Sequence, residues 1–274
     1  IELKLPNSVF VDCTASEGLV STYSNIIKAG IAIVTPNKKA NSGEFAQYKK
    51  LKSLAKKYNT SFIYETNVGA GLPIIHTIQN LVLGGDKVVK IEAILSGTLS
   101  YIFNTFSESN NSFGDVVREA KAKGYTEPDP RDDLNGKDMA RKILILAREI
   151  GLKLEFNQVK INPILPGKCF KVSSIDGFFS ELKKLNNDFA DKKIQMQKNN
   201  QVFRYIATLC DGKAELMLQK VGQSHPFYQM SGSDNIISIT TRRYCHAPLI
   251  IKGPGAGAEV TAGGILANIL NIFK

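Results

Sequence analysis

The sequence predicts an α/β protein in which a parallel sheet with helices on its faces is followed by a larger mixed sheet. The first observation is that residues 9–65 alternate short apolar strands with helical segments, in the order β-α-β-α-β. The second is a run of strand-like segments from residue 202 onward, separated by turns. The third is composition: 274 residues, 43% of them hydrophobic and 22% charged, are enough for one large domain or two interleaved ones.

The opening segment supplies the strands and helices of the parallel sheet. Residues 9–14 (VFVDCT) form a predicted buried strand, and a capping signal at residues 14–17 starts a helix that runs to residue 28. Strands are predicted at 31–34 and 61–65, with a helix at 43–58 between them. Ligands of such sheets bind beyond the carboxyl ends of strands, which places Thr14, Lys38 and Lys39 at a crevice. The alternative for the two lysines is an ordinary surface position after a turn.

The next segment carries two loops that could bind a ligand. Residues 65–73 (ETNVGAGLP) are rich in glycine, and such a loop can turn its carbonyl oxygens toward a hard cation. Helices are predicted at 74–83, 99–106 and 113–123, and a strand at 88–95. Residues 96–98 (SGT) lie at the strand-to-helix turn, where hydroxyl and amide groups face outward.

Residues 124–151 are the most chemically dense stretch of the chain. Pro128 and Pro130 exclude a regular helix at its start, and after Gly136 apolar residues recur at helical spacing. Asp138 and Lys142 lie four residues apart on this helix, about 40° apart in direction. Three more carboxylates could approach the same helix end: Glu127, Asp132 and Asp133. One interpretation is a lysine framed by carboxylates for proton transfer or for binding an ammonium group. The other is an acidic helix start with one stabilising ion pair.

The last third of the chain is predicted to build the mixed sheet. Helices are expected at 176–186 and 188–198, and strands at 202–208, 214–221, 236–241 and 248–252. A glycine-rich stretch (GPGAGAEVTAGG) then precedes a helix at 265–273. Gly253, Gly255 and Ala258 match the GxGxxG/A pattern of dinucleotide-binding turns. Only sixteen residues follow Ala258, so this is at most one glycine turn that faces a cofactor bound mainly elsewhere.

Composition argues against several other classes. No run of eighteen apolar residues and no signal-peptide pattern is present, and the four cysteines lack metal-finger spacing, which favours reduced thiols in the cytoplasm. The net charge of +10 is compatible with nucleic-acid binding, but the lysines are spread along the chain and there is no tryptophan. A basic surface also suits small anionic ligands. The start at Ile1 suggests a fragment of a longer polypeptide.

Several of these segments together resemble the homoserine dehydrogenases, in order and in spacing. The matching stretches are VDCTAS at 11–16, VTPNKKANS at 34–42, ETNVGAGLPII at 65–75, ILSGTLSYIF at 94–103, GYTEPDPRDDLNGKDMARKILILARE at 124–149 and GPGAGAEVTAGG at 253–264. The amino-acid sequence of these stretches is most similar to the dehydrogenase half of bifunctional aspartokinase–homoserine dehydrogenases. An aspartokinase domain would then lie upstream in the full-length protein.

The resemblance implies a partial Rossmann-like nucleotide-binding domain, with its first βα unit missing, plus an α+β catalytic and dimerisation domain with a mixed sheet. The first domain would comprise residues 1–64, completed by residues 255–274, and the second residues 65–254. Because the glycine-rich phosphate loop belongs to the missing unit, this chain is expected to bind NAD(P) weakly or not at all.

The resemblance also implies a reaction and a set of residues. The reaction is the NAD(P)H-dependent, reversible reduction of L-aspartate 4-semialdehyde to L-homoserine in threonine and methionine synthesis. The catalytic residues would be Lys142 as proton donor and Lys38 beside the cofactor and substrate. The substrate-binding residues would be Glu127, Asp138, Asp133, Asp132, Thr98 and Tyr125. The cofactor would contact Thr14, Lys38, Gly124 and Gly257. Backbone oxygens of Glu65, Val68, Ala70 and Leu72 would surround a sodium ion.

Two alternative functions remain open from the sequence. A homodimeric fragment whose role is assembly, without catalysis, is the first. A basic nucleic-acid-binding domain is the second, although only the net charge favours it.

Overall fold

The computed structural model describes residues 5–273 and confirms the α/β class. The strands are β1 (Val9–Val11), β2 (Ala32–Val34), β3 (Phe62–Ile63), β4 (Val88–Ile94), β5 (Lys160–Ile161), β6 (Gln201–Cys210), β7 (Lys213–Gly222), β8 (Asn235–Thr241) and β9 (Leu249–Gly253). The helices are α1 (Glu17–Val20), α2 (Tyr23–Lys28), α3 (Lys39–Ser42), α4 (Phe45–Lys57), α5 (Ile75–Leu83), α6 (Gly97–Glu108), α7 (Phe113–Ala122), α8 (Arg131–Leu134), α9 (Lys137–Glu149), α10 (Ile175–Lys183), α11 (Asn186–Lys198) and α12 (Ala258–Ile272).

The first sheet is parallel, as predicted, with the order β1-β2-β3. Its central strand, β2, is fully buried, which matches the continuous apolar run in the sequence. The helix predicted at 17–28 is instead divided into α1 and α2. The hydroxyl groups of Ser21 and Thr22 donate to the carbonyls of Gly18 and Leu19, respectively, and such local bonds compete with a continuous helix.

The second sheet is mixed, with the order β5-β7-β6-β4-β8-β9. Strands β4, β6, β7, β8 and β9 pair antiparallel, whereas β5 pairs parallel with β7. Helices α6, α9 and α11 pack against β6. The predicted strands at 202–208, 214–221, 236–241 and 248–252 are therefore confirmed, with ends that differ by one or two residues.

Helix α9 is the element on which the other elements of the site depend. Residues 143–147 (ILILA) are completely buried, and the helix packs against α3 and α5 as well as β6 and β7. It begins after Gly136, whose φ of 72° lies in the left-handed region. A Cβ at Gly136 would lie 2.9 Å from the hydroxyl oxygen of Tyr205. Both the left-handed backbone and the lack of space for a side chain therefore require glycine there.

The C-terminal end of α9 is anchored by a buried carboxylate. Glu149 Oε1 accepts hydrogen bonds from the hydroxyls of Tyr64 (2.5 Å) and Tyr48 (3.1 Å), and Oε2 accepts one from Gln79 Nε2 (2.7 Å). These partners come from α4, α5 and the end of β3. Glu149 thus connects α9 to the first sheet and its flanking helices.

Three elements around the site differ from the sequence prediction, and the first is the single turn α3, which was not predicted. Helix α8 lies inside the stretch predicted as a loop, and α12 begins at Ala258 rather than at residue 265. Gly264 within α12 approaches the segment at 65–72 so closely that a Cβ would lie 2.7 Å from Thr66 Cγ2. Contacts of α12 with β2 agree with the proposed assignment of residues 255–274 to the first domain, which stays a prediction.

Candidate active site

A cavity of about 460 Å³ lies where β4 ends and helices α6 and α9 begin. The strand-to-helix turn before α6, the 124–127 loop, the start of α9 and the 254–257 turn enclose it. Its lining residues are Ser96, Gly97, Thr98, Gly124, Tyr125, Thr126, Glu127, Asp133, Asp138, Lys142, Ser233, Pro254, Gly255, Ala256 and Gly257. The structure therefore brings together two segments that the sequence singled out separately, residues 96–98 and 124–142.

A carboxylate between two lysines forms one wall of this cavity. Asp138 Oδ2 lies 2.7 Å from Lys142 Nζ, and Asp138 Oδ1 lies 3.0 Å from Lys38 Nζ. Lys142 Nζ also donates to the backbone carbonyl of Leu95, at 2.7 Å. The side chain of Lys142 is only 11% exposed, whereas that of Asp138 is 46% exposed. The three charged groups form a continuous chain, Lys38–Asp138–Lys142, with its middle member open to the cavity.

The electrostatics of this chain suit proton transfer. Burial lowers the pKa of the Lys142 ammonium group below its usual range, because the negative charge of Asp138 only partly offsets desolvation and Lys38 adds repulsion. Burial alone would raise the pKa of Asp138, but the charges of Lys142 and Lys38 outweigh it and hold that pKa well below its usual range. Asp138 is therefore ionised at neutral pH, next to an ammonium group that releases its proton more readily than a free lysine.

Asp133 and Thr98 fix the loop that closes the cavity. The Thr98 hydroxyl lies 2.6 Å from the Tyr125 carbonyl oxygen and 2.8 Å from Asp133 Oδ1. The Glu127 amide donates to Asp133 Oδ2 at 2.9 Å. Burial raises the pKa of Asp133; the hydrogen bonds from Thr98 and Glu127 only partly oppose it. The loop that carries Tyr125 and Glu127 is thus attached to α6 through side chains that also line the cavity.

An aromatic pair supports the same loop from below. The ring of Tyr125 stacks on that of Tyr101, with centroids 4.3 Å apart. The Tyr101 hydroxyl bonds to Glu119 (2.8 Å) and Lys123 (3.0 Å). Sequence reasoning missed Tyr101 as a site residue, since its role depends on which ring the folded loop places above it.

Of the four residues expected to contact a cofactor, two line the cavity, and the other two, Thr14 and Lys38, are not among its lining residues. Gly124 and Gly257 line it, with φ angles of 74° and 114°, and a Cβ at either would meet no atom within 4 Å. Thr14 is exposed after the end of β1, where its hydroxyl accepts a hydrogen bond from the Ser16 amide. Asp132 is exposed on α8 and does not line the cavity, so the structure does not bring it together with the other carboxylates.

The segment expected to bind a cation is buried and has unusual backbone angles. Gly69 and Ala70 have φ angles of 78° and 52°. The Glu65 carboxylate accepts from the Ile75 and His76 amides, at 2.7 Å each, so its side chain caps α5. The Glu65 backbone oxygen, the group expected to face a cation, accepts a hydrogen bond from the Val68 amide at 3.3 Å.

Comparison with known proteins places the chain in a family. The homoserine dehydrogenase family model matches residues 73–270, and the model of the homoserine dehydrogenase NAD-binding domain matches residues 2–65. The chain belongs to the homoserine dehydrogenase family. This confirms the resemblance that the motifs predicted.

Relatives and solved structures of this family cover nearly the whole chain. A chloroplastic bifunctional aspartokinase/homoserine dehydrogenase of Zea mays is 49% identical over 97% of the chain, and a homoserine dehydrogenase of Schizosaccharomyces pombe is 41% identical, also over 97%. A Candida auris crystal structure of unknown function is 44% identical, with a TM-score of 0.92, covering 96% of this chain and 75% of that one. An archaeal homoserine dehydrogenase in complex with NADPH is 26% identical, with a TM-score of 0.73, covering 98% and 72%.

The chain is shorter than these family members. It spans 29% of the length of the maize protein and 73% of the fission-yeast one. Within residues 5–273, no helix is both long enough and apolar enough to cross a membrane.

A second polar network, missed by sequence reasoning, orders the strand ends on the NAD-binding side of this homoserine dehydrogenase family member. Asp12 is buried at the end of β1, and its Oδ2 accepts from the Tyr23 hydroxyl (2.5 Å) and Asn37 Nδ2 (3.1 Å). The Thr14 amide donates to Asp12 Oδ1 at 2.8 Å. The Asp12 network therefore sets the position of Thr14 and of the loop before Lys38. The VDCTAS motif includes Asp12, but the sequence alone does not show which distant residues Asp12 bonds to.

Proposed function

We propose that this chain carries the substrate site of a homoserine dehydrogenase that interconverts L-aspartate 4-semialdehyde and L-homoserine with NADPH or NADH. The observation that supports this most directly is the Lys38–Asp138–Lys142 chain, of which Asp138 and Lys142 line the cavity. A buried lysine with a lowered pKa beside an ionised carboxylate is the arrangement expected of a general acid.

Lys142 is the proposed proton donor. When bound, the nicotinamide supplies a hydride to the aldehyde carbon of the substrate. The aldehyde oxygen then gains negative charge, and the Lys142 ammonium group both stabilises this charge and transfers its proton to it. The products are an alcohol and a neutral lysine. Asp138 and Lys38, in direct contact, provide the adjoining charges that allow Lys142 to regain a proton from solvent.

Fixed carboxylates account for recognition of the amino-acid end of the substrate. An ammonium group is bound best by ionised carboxylates held in place, and Glu127 and Asp138 both line the cavity. Asp133, Thr98 and Tyr125 are linked by hydrogen bonds and shape the opposite wall. Asp132 keeps its proposed role only if α8 moves toward the cavity when substrate binds.

The residues present fit a dinucleotide on the side of Gly124 and Gly257. Neither glycine carries a side chain that would occupy the space above it, and the backbone of the 254–257 turn faces the same cavity as Lys142. Thr14 and Lys38 would contact the cofactor from the first sheet. The NADPH complex of the archaeal relative supports a nicotinamide cofactor. Weak NAD(P) binding by the chain alone stays a prediction.

A sodium ion held by backbone oxygens of Glu65, Val68, Ala70 and Leu72 is also part of the proposal. Two features of the described residues support it. Thr66 Oγ1 is buried without a hydrogen-bond partner, and the backbone at Gly69 and Ala70 has φ angles in the left-handed region, which allows this short loop to turn sharply. The role would be structural, because this segment packs against α12.

We also propose a homodimer, an upstream aspartokinase domain in the full-length protein and a cytoplasmic location. The names of the bifunctional relatives support the aspartokinase domain. The remaining alternative, a dimer that binds homoserine without turning it over, makes a different prediction in the assay that follows.

NADPH oxidation in the presence of aspartate 4-semialdehyde tests the proposal, followed at about 340 nm, where the nicotinamide absorbs. The chain would be assayed beside a version extended at its amino end by the first βα unit of a homoserine dehydrogenase. Activity in the extended version only would support both the reaction and the expected weak cofactor binding. Homoserine binding with no activity in either version would favour the assembly alternative.

A further inference from the structure

Arg148 has a set of contacts that the proposed mechanism does not use. It lies near the C-terminal end of α9, and its side chain is completely buried. Nη1 donates to the Asn41 carbonyl at 2.8 Å, and Nη2 donates to the Gly43 carbonyl at 2.7 Å and to the Leu154 carbonyl at 2.9 Å. Glu155 Oε2 lies 3.3 Å from Nη2. A buried guanidinium group is tolerated only when its donors are paired, and here they are paired mainly with backbone carbonyls.

The segment that Arg148 holds is the one that carries Lys38. Helix α3 is a single turn in which the Ser42 amide and hydroxyl both bond to the Lys38 carbonyl, at 2.8 Å each. The Gly43 amide donates to the Lys39 carbonyl at 2.9 Å. The last carbonyls of a helix lack partners within the helix and carry partial negative charge, which Arg148 satisfies. A shift at Asn41 and Gly43 is therefore transmitted through one rigid turn to Lys38.

The same helix contacts this segment at its other end. Asp138, about 15 Å away along α9 at 1.5 Å per residue, pairs with Lys38 Nζ at 3.0 Å. Helix α9 thus contacts residues 38–43 at two points, through Asp138 and through Arg148, and it also carries Lys142. We propose that Arg148 is a positioning residue that sets the distance between Lys38 and Asp138. The importance of that distance for catalysis rests on the proposed function, whereas the distance itself does not.

Aromatic stacking makes the guanidinium group difficult to replace. The Arg148 guanidinium carbon lies 5.5 Å from the Phe45 ring centre and 5.4 Å from the Tyr48 ring centre. Glu155 in turn accepts from the Phe45 amide at 3.0 and 3.1 Å, which holds the start of α4 in place. A lysine at 148 keeps the charge but cannot bond to Asn41 and Gly43 together while stacking on two rings.

Competitive labelling of lysines with trace acetic anhydride tests the positioning directly, without cofactor or turnover. In Arg148→Lys, the labelling rate of Lys38 is expected to rise at least about threefold, because an amine released from its contact with Asp138 is more accessible to the reagent. The rate at Lys142 is expected not to rise, because its bonds to Asp138 and the Leu95 carbonyl are kept and a more distant Lys38 repels its ammonium group less. Arg141→Lys is the matched control on the same helix, where the guanidinium group stacks on Phe156 instead.

Two outcomes of the labelling experiment would overturn the proposal. One is an unchanged rate at Lys38. The other is a parallel rise at all lysines, which would show that Arg148 stabilises the fold in general and does not position Lys38.

A double-mutant cycle in the dehydrogenase assay separates this proposal from the proposed function. Arg148→Lys is expected to lower kcat about tenfold, as a small misplacement of a site group can, but to have little further effect in a Lys38→Ala background. Additive effects would contradict positioning through Lys38. The cycle is measured in the version extended by the first βα unit; absence of homoserine dehydrogenase activity in that version without substitutions would contradict the proposed function, while the labelling result would still decide the role of Arg148.

Discussion

Asp138 is in contact with both Lys38 and Lys142. Its charge affects the pKa of Lys142, and this effect is distinct from its proposed role in substrate binding. The charge of Asp138 raises the pKa of Lys142 against the larger, opposing effect of burial. Removing that charge leaves burial and the repulsion of Lys38, and both favour neutral Lys142.

Replacing Lys142 with methionine removes the proposed proton donor while keeping most of the length of the side chain. Lys142→Met is expected to lower kcat for aldehyde reduction by about 10²–10⁴-fold, the usual contribution of general acid catalysis. Steady-state kinetics would measure this beside Lys137→Met, an exposed position on the same helix. Equal losses in both variants would show that α9 is merely sensitive to substitution.

The pH dependence of kcat distinguishes an electrostatic role of Asp138 from a structural one, because only the electrostatic role shifts the profile in a defined direction. Reduction needs protonated Lys142, so kcat is highest below the pKa of Lys142 and falls as pH rises through it. This pKa lies below the ordinary value of 10.5. In Asp138→Asn that pKa falls further, and the alkaline limb of the kcat profile is expected to move to lower pH. An alkaline limb that stays in place, or moves to higher pH, would show that the charge of Asp138 does not raise the pKa of Lys142.

Sequence reasoning found the charged residues of the cavity but not the groups that orient them. Lys38, Asp138 and Lys142 are recognisable because charge and helical spacing are local properties of the sequence. Arg148 and Tyr101 act through Asn41 and Tyr125, respectively, and such pairings depend on the tertiary fold. Burial of a residue inside a polar network leaves no periodic signal.

Among the elements, helix α12 shows where local rules misled and why. Gly263 and Gly264 interrupt the helical pattern, so the sequence predicted a start at residue 265, whereas the helix begins at Ala258. Gly264 is there because α12 packs directly on the backbone of Gly71 and on Thr66. By contrast α9, with a strong apolar period and a glycine before its first residue, was predicted almost to its ends.

The two adjacent glycines of α12 are expected to respond in opposite ways to alanine. Gly263→Ala meets no atom within 4 Å and should stabilise the protein by about 0.5–1 kcal/mol, because glycine is unfavourable inside a helix. In Gly264→Ala the new Cβ would lie 2.7 Å from Thr66 Cγ2 and 3.1 Å from the Gly71 Cα, and should destabilise it by about 1–3 kcal/mol. Urea denaturation measures both values. The same sign for both substitutions would contradict the packing of α12 on the 65–72 segment.

At the scale of the whole molecule, α9 joins the two sheets through its sides and its end. It packs on β6 and β7 of the mixed sheet and on α3 and α5. Its last residue, Glu149, bonds to Tyr64 at the end of the parallel sheet and to Tyr48 on α4. Two sheets that share a buried helix in this way should not unfold independently, even though no strand pairs between them.

The predicted consequence is one unfolding transition for the whole chain, reported equally from both sheets. Hydrogen exchange of β2 and of β6 in increasing urea should give the same midpoint, because loss of either sheet exposes α9. Glu149→Ala leaves three hydrogen-bond donors without their acceptor, and should lower the free energy of unfolding by about 2–4 kcal/mol at both strands. Glu259→Ala, at an exposed position on α12, is the control and should change neither midpoint. Separate transitions, or a Glu149 effect confined to β2, would mean that α9 belongs to the mixed sheet alone and that the Lys38–Asp138 contact crosses a boundary able to open.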